Sequence, residues 1–242
     1  MSSENFTKGQ GAQRNEINRF EKYTFEPEED DFLKTKTTFT EVFPKTIVNE
    51  VKSPDIRMEY SVNPYQGCEH GCSYCFARPT HEFWGYSAGT DFERKIMIKK
   101  NAPELLEKFF QKRNYVPKTI TLSGNTDCYQ PAERQFEITR KLLKLCLDYR
   151  HPVSILTKNA LVLRDLDILK PLSEQNLVSV SFSIPTVNEE IRRKMEPRTS
   201  SVKNKLKVIE ILTEHKIPVG VMVAPVIPGL TSDESLKILK TV

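Results

Sequence analysis

From Pro64 onward, short β-rich runs alternate with amphipathic helical stretches, and that alternation most narrows what the chain can fold into. Strands are expected at Glu59–Val62, Thr119–Leu122, Val153–Leu156, Val178–Ile184 and Val219–Val223. Helices are expected at Ala102–Arg113, Glu133–Asp148, Val162–Glu174 and Ser201–His215, the last with apolar Leu206, Ile209 and Leu212 at helical spacing. Pro152 and Pro218 stand just before their strands, where a helix must already have ended. A series of right-handed βα units closes into a barrel or an open part of one, with its chemistry on the loops at the C-terminal strand ends. The unusual segments fall there: the cysteines follow the first strand, SGNTDCYQP the second, TKN the third and APVIPG the fifth. The fold class expected is α/β, a partial (β/α) barrel of about five strands, truncated at its C-terminal end after SDESLKILKTV.

With 242 residues, 38% of them hydrophobic, the chain can bury one sizeable core. Residues 1–35, including the acidic stretch Glu26–Asp31, show no sustained period and are expected to form a mobile or loosely draped arm, leaving 36–242 as the barrel domain. The N-terminus lacks the apolar segment of a secretion signal, and the run Val219–Leu230 is too short and too broken by proline to span a bilayer, so a cytoplasmic protein without a membrane partner is expected. The net charge of +4 is mild and spread along the chain, and neither demands nor excludes nucleic acid.

Five cysteines is an odd number, and three of them, Cys68, Cys72 and Cys75, fall in the spacing C-x3-C-x2-C within NPYQGCEHGCSYCFARPTHEFWG. Thiols this close are read as metal ligands rather than disulfides in a reducing compartment. Gly67 and Gly71 suit a loop that folds tightly around a metal centre. One reading is an iron–sulfur cluster. The competing reading is a zinc site completed by His70 or His81, although no second C-x2-C pair exists in the chain. A zinc ion, or an iron–sulfur cluster without catalysis, would make the protein a redox-sensing or nucleic-acid-binding module.

The cysteine spacing with Tyr74 before the last thiol resembles the signature of the radical S-adenosylmethionine superfamily. The wider text, with SGNTDCYQPAER, LTKNALVLRDLDIL, MEPRTSS and VMVAPVIPGLTSDE, resembles the branch of the spore photoproduct lyases and DNA repair photolyase-like proteins. The resemblance implies a radical enzyme. Its 4Fe–4S cluster, held by Cys68, Cys72 and Cys75 with one iron left open to the cofactor, would cleave S-adenosylmethionine reductively to a 5'-deoxyadenosyl radical. The resemblance also implies an electron donor such as flavodoxin or ferredoxin, and leaves the substrate open, nucleic acid included. Position by position, it places Tyr74 against the adenine and the polar turn Ser123, Gly124, Asn125 and Thr126 at the methionine amine. Lys158 and Ser183 would meet the cofactor's carboxylate or ribose, and Arg198 is a further candidate for the carboxylate. Val226, Ile227 and Gly229 fit the adenine side of the fifth strand, where Pro225 replaces the leading glycine.

Two cysteines stand apart. Cys128 follows the second strand on the barrel face of the cluster loop and is the candidate catalytic thiol, by analogy with the hydrogen-returning thiol of the photoproduct lyases; a buried structural thiol is its alternative. Cys146, between Leu145 and Leu147, reads as core. His81, Glu82 and Trp84 are candidates for either the substrate entrance or ordinary packing.

Overall fold

A computed structural model describes residues 7–20, 36–53, 55 and 58–242. Among these lie strands β1 (Thr38–Val42), β2 (Val48–Glu50), β3 (Tyr60–Val62), β4 (Tyr65–Gln66), β5 (Lys95–Lys99), β6 (Ile120–Leu122), β7 (Val153–Thr157), β8 (Val178–Ser183) and β9 (Val219–Met222). The helices are α1 (Asp91–Arg94), α2 (Ala102–Phe110), α3 (Glu133–Phe136), α4 (Ile138–Asp148), α5 (Leu166–Glu174), α6 (Glu189–Met195), α7 (Val202–Glu214) and α8 (Ser235–Thr241).

The main sheet runs β2-β3-β6-β7-β8-β9, and its last five strands are parallel, as the alternating pattern requires. The two ends of this sheet do not pair with each other, so it is an open partial barrel, with β2 antiparallel at one edge. The five expected strands and the order of their crossovers are all present. A smaller sheet, β1-β5-β4, sits beside the first, and sequence reasoning did not anticipate it. Its strand β4 leads directly into the cysteine loop.

Side chains divide the main sheet sharply by face. One register row crosses it as Val62, Leu122, Ile155, Val180 and Val219, and this face packs on Leu142, Leu143, Leu169 and Leu172 of α4 and α5. Each fully buried Leu or Ile there contributes roughly 1.5–3 kcal/mol. The adjacent row, on the other face, reads Ser61, Thr121, Ser154 and Ser179. Along β8 the same face continues with Ser181 and Ser183.

Helix boundaries follow from capping. Asn188 accepts from the amides of Glu190 and Ile191 to begin α6, and Ser201 accepts from that of Asn204 to begin α7. The single helix expected over Glu133–Asp148 is instead two. Glu137 adopts a left-handed conformation, with φ +51°, because the Glu133 carboxylate reaches past it to accept from the amides of Thr139 (2.9 Å) and Arg140 (3.2 Å). The Val162–Glu174 segment starts as a 3-10 helix at Ala160–Asp165, capped by Asn159, before α5. No helix among the described residues is long and apolar enough to cross a membrane.

Of the arm expected over residues 1–35, the described part, 7–20, lies against the cysteine loop and α1. The amides of Gly11 and Ala12 donate to Glu93, and the Asn15 side chain donates to Asp91 and accepts from Thr90. The acidic stretch Glu26–Asp31 lies outside the described residues.

Candidate active site

The cysteine loop folds back on itself at two glycines. Gly67 has φ +79°, and a Cβ there would stand 3.0 Å from the carbonyls of Phe92 and Lys95. Gly71 has φ +67°, and a Cβ would stand 2.7 Å from Glu93 Oε2. The loop is pinned by the Cys68 amide to the Phe92 carbonyl at 2.8 Å and by the Ser73 amide to the Met195 carbonyl at 2.9 Å. All three thiols are free; Cys68 and Cys72 are buried and Cys75 is half-buried. Burial raises the pKa of each, that of Cys72 to about 12.

Against this loop lies a cavity of about 280 Å³. One wall is Cys72, Tyr74, Cys75 and Phe76; the other is the C-terminal ends of β6 to β9, with Ser123 to Asp127, Leu156 to Lys158, Ser183, Met222, Ala224 and Pro225. This is where a βα array places its chemistry. Ser123, at φ +90°, and Gly124, at φ +117°, turn the chain sharply after β6. The Ser123 hydroxyl accepts from the Cys128 amide at 3.0 Å, and Asn63 Oδ1 holds the amides of Asn125 (3.0 Å) and Thr126 (3.3 Å). Asp127 accepts from Thr157 Oγ1 and from the amides of Tyr129 and Lys158, and His70 Nδ1 stands 3.3 Å from it. Burial opposes its charge, but His70 and these donors lower its pKa overall.

Lys158 and Tyr74 of the cavity lining belong to an ion cluster built on Glu196, a fully buried residue that sequence reasoning missed. Its carboxylate accepts a short hydrogen bond from the Tyr74 hydroxyl and pairs with Lys158 Nζ at 3.0 Å and Lys205 Nζ at 2.9 Å. Lys158 also donates to Ser183 Oγ at 2.5 Å, and Lys205 to the Ser183 carbonyl at 3.1 Å. Burial works against the charge on Glu196, yet the two ammonium groups pull its pKa down to about 2. Burial likewise disfavours charge on Lys158, but Glu196 and Cys72 raise its pKa overall. For Lys205, burial prevails and lowers the pKa. A sequence signal for Lys205 exists: it occupies a core position of α7, in the buried series Val202, Lys205, Ile209 and Leu212.

The far side of the loop carries a second buried acid. Glu93 of α1 pairs with Arg78 at 2.6 Å and Arg198 at 2.7 Å, besides the amides of residues 11 and 12.

The structure thus brings together Cys72, Cys75, Tyr74, Ser123, Gly124, Asn125, Thr126, Lys158 and Ser183 around one cavity, with Cys68 behind them in the loop. Three expected residues are elsewhere. Arg198 does not face the cavity, because its guanidinium is taken by Glu93. Ile227 lies beyond it, its amide donating to Thr231 Oγ1; the fifth-strand wall is Met222, Ala224 and Pro225 instead. Cys128 lies fully buried in the hydrophobic core, outside the residues that line the cavity, its pKa raised by burial and by Asp127. Glu82 pairs with Arg19, and Phe83 packs on Phe20, away from the cavity. Cys146 is core.

The residues fit an iron–sulfur cluster better than a zinc ion. Among the described residues, no three His, Cys, Asp or Glu side chains converge to hold a single ion. Of the two proposed zinc histidines, His70 sits between Asp127 and Asn159, and His81 packs among Tyr86 and Phe92 with neither ring nitrogen hydrogen-bonded, its pKa lowered by burial to about 4. A cubane instead takes each thiolate on a different iron, and a glycine-hinged loop that leaves a cavity beside it suits that need.

Comparison with known proteins bears on the fold and the family. An uncharacterized protein of Mycobacterium tuberculosis is 36% identical over 195 residues, covering 80% of this chain and 57% of that protein. An uncharacterized protein of Methanocaldococcus jannaschii is 30% identical over 202 residues, covering 84% of this chain and 73% of its own. The chain therefore spans little more than half the length of its mycobacterial relative. Among solved structures, spore photoproduct lyase complexed with dinucleoside spore photoproduct aligns with TM-score 0.59 at 17% identity, covering 83% of this chain and 56% of that one. A mutant of that lyase with bound AdoMet aligns with TM-score 0.56 at 18% identity, covering 77% of this chain and 51% of the other. At such identities the likeness is one of fold. The family model of the radical SAM superfamily matches residues 62–242, from the strand before the cysteine loop through the helix after the fifth parallel strand, and the chain belongs to that superfamily.

Proposed function

We propose that this chain holds a 4Fe–4S cluster on Cys68, Cys72 and Cys75 and binds S-adenosylmethionine in the adjoining cavity, cleaving it reductively. The observation that carries this reading is the shared cavity: two of the three thiols and Tyr74 form one wall, and the polar strand ends form the other. When bound, the cluster supplies one electron to a carbon–sulfur bond of the cofactor, giving a 5'-deoxyadenosyl radical that takes hydrogen from a substrate. The protein's part is to bind and orient. Tyr74, held by Glu196, offers its ring to the adenine, and Lys158 opposes the carboxylate. The turn Ser123–Thr126, fixed by Asn63, presents backbone groups to the methionine amine. Leu156, Met222, Ala224 and Pro225 supply the apolar lining that limits water around a reactive species. The cavity is near the lower bound of small-molecule sites, which run from about 300 Å³ upward.

The reading calls for a one-electron donor of flavodoxin or ferredoxin type. The fold shared with spore photoproduct lyase supports nucleic acid as the substrate class to test first, by analogy of fold alone. The test is anaerobic reconstitution with iron and sulfide, followed by dithionite and S-adenosylmethionine. Brown protein with four irons per chain that forms 5'-deoxyadenosine is expected, and Cys68→Ala, Cys72→Ala or Cys75→Ala should abolish both colour and product. Colourless protein carrying one zinc would support a non-catalytic binding module instead.

A further inference from the structure

Resting on the proposed binding of S-adenosylmethionine, the structure poses a problem of competition. The ammonium expected to receive the cofactor's carboxylate, that of Lys158, already pairs at 3.0 Å with a carboxylate of the protein, Glu196. A buried acid that kept Lys158 to itself would leave nothing for the ligand.

The second lysine resolves this. We propose that Lys205 is a positioning residue that occupies Glu196 so that Lys158 can turn its charge to a carboxylate in the cavity. Lys205 is 1% exposed and reaches Glu196 Oε2 at 2.9 Å, whereas Lys158 and Tyr74 meet Oε1. Its remaining partner is the neutral Ser183 carbonyl, so its charge acts on Glu196. The other acid near Lys158, Asp127, takes the Lys158 backbone amide rather than the ammonium, its other donors are Thr157 and Tyr129, and His70 Nδ1 stands 3.3 Å from it. Cys72, on the wall opposite, is the remaining titratable group beside Lys158. With Glu196 matched by Lys205, the Lys158 ammonium faces the cavity held by one shared oxygen and the Ser183 hydroxyl. A bound carboxylate then gains a charge-assisted partner without leaving a buried acid unpaired.

The test is binding rather than turnover. Affinities of S-adenosylmethionine and of 5'-methylthioadenosine, which keeps the adenosine but has no carboxylate, are measured by calorimetry on anaerobically reconstituted protein. In Lys205→Met, Glu196 and Lys158 become an exclusive pair, and S-adenosylmethionine should bind about 10-fold or more weakly, as the loss of a charged hydrogen-bond partner implies. Binding of 5'-methylthioadenosine should be unchanged, which also reports an intact fold. The double variant Glu196→Gln/Lys205→Met frees Lys158 again and should regain most of the lost affinity. Equal affinity of wild type and Lys205→Met for S-adenosylmethionine would overturn the proposal. So would equal weakening of both ligands, or no recovery in the double variant. Failure of the wild type to bind S-adenosylmethionine at all would overturn the function proposed above, and this inference with it.

Discussion

The cysteine loop is gripped on its two sides by the same device made from different residues. On each side a fully buried glutamate meets two cations: Glu93 with Arg78 and Arg198 behind the loop, Glu196 with Lys158 and Lys205 in front of it. Arginine is a permanently charged planar fork, suited to holding a fixed arrangement; lysine is a single ammonium on a flexible stem, able to change partners. The arginine side also fastens the N-terminal segment, through the Gly11 and Ala12 amides. The lysine side borders the cavity. The difference separates a structural clamp from a responsive one, although both depend on a single buried acid.

The largest effect expected is from Glu93→Ala. Removing the acid leaves two arginines without their carboxylate and releases the N-terminal segment, at about 3–5 kcal/mol in urea unfolding, with faster hydrogen exchange at residues 11 and 12. A loss under 1 kcal/mol would show that the rear cluster is not a clamp.

The front cluster should instead show itself in acid. The Glu196 pKa is about 2 against a reference of 4.5, so its contribution is complete above about pH 4.5 and disappears as pH falls toward about 2. Glu196→Gln should flatten that part of the stability–pH curve. Identical acid limbs for the two proteins would refute the assignment.

Gly71→Ala tests the space between the clusters. Its Cβ would stand 2.7 Å from Glu93 Oε2, at a positive φ that costs a side chain roughly 1–2 kcal/mol, and the damage should fall on the rear pair. Lost cofactor affinity with the stability unchanged would show that the two sides are one unit. The smallest effect is expected from Ser154→Ala, remote from both clusters and half-buried on the hydroxyl face of the sheet: within about 0.5 kcal/mol.

The parallel strands were legible because their apolar residues repeat in short runs bounded by proline and turn residues, as in Val153–Thr157 after Pro152. The cluster loop was legible because three thiols at fixed spacing have few other uses. What escaped depended on distant pairing. The strand β1 gains its identity from β5, more than fifty residues away, and carries no strong pattern of its own. Glu196 and Lys205 look like ordinary surface charges until the fold buries them together, although Lys205 interrupts an otherwise apolar helical stripe. Arg198, between α6 and α7, pairs with Glu93, and Cys128, after β6, lies in the core, because a residue's place in the chain does not fix the direction of its side chain.

The row Ser61, Thr121, Ser154 and Ser179 separates two kinds of duty within a single sheet. A closed (β/α) barrel packs its interior with branched aliphatic side chains, and exchanging any of these disturbs the fold. Here cohesion comes from the opposite surface, against the helices, and the inner surface carries little of it. Substitutions at the half-buried Ser154 and Ser179 of that row should therefore cost the fold less than substitutions in the apolar row with which they alternate, and the sheet keeps its architecture beneath the cysteine loop from one surface alone.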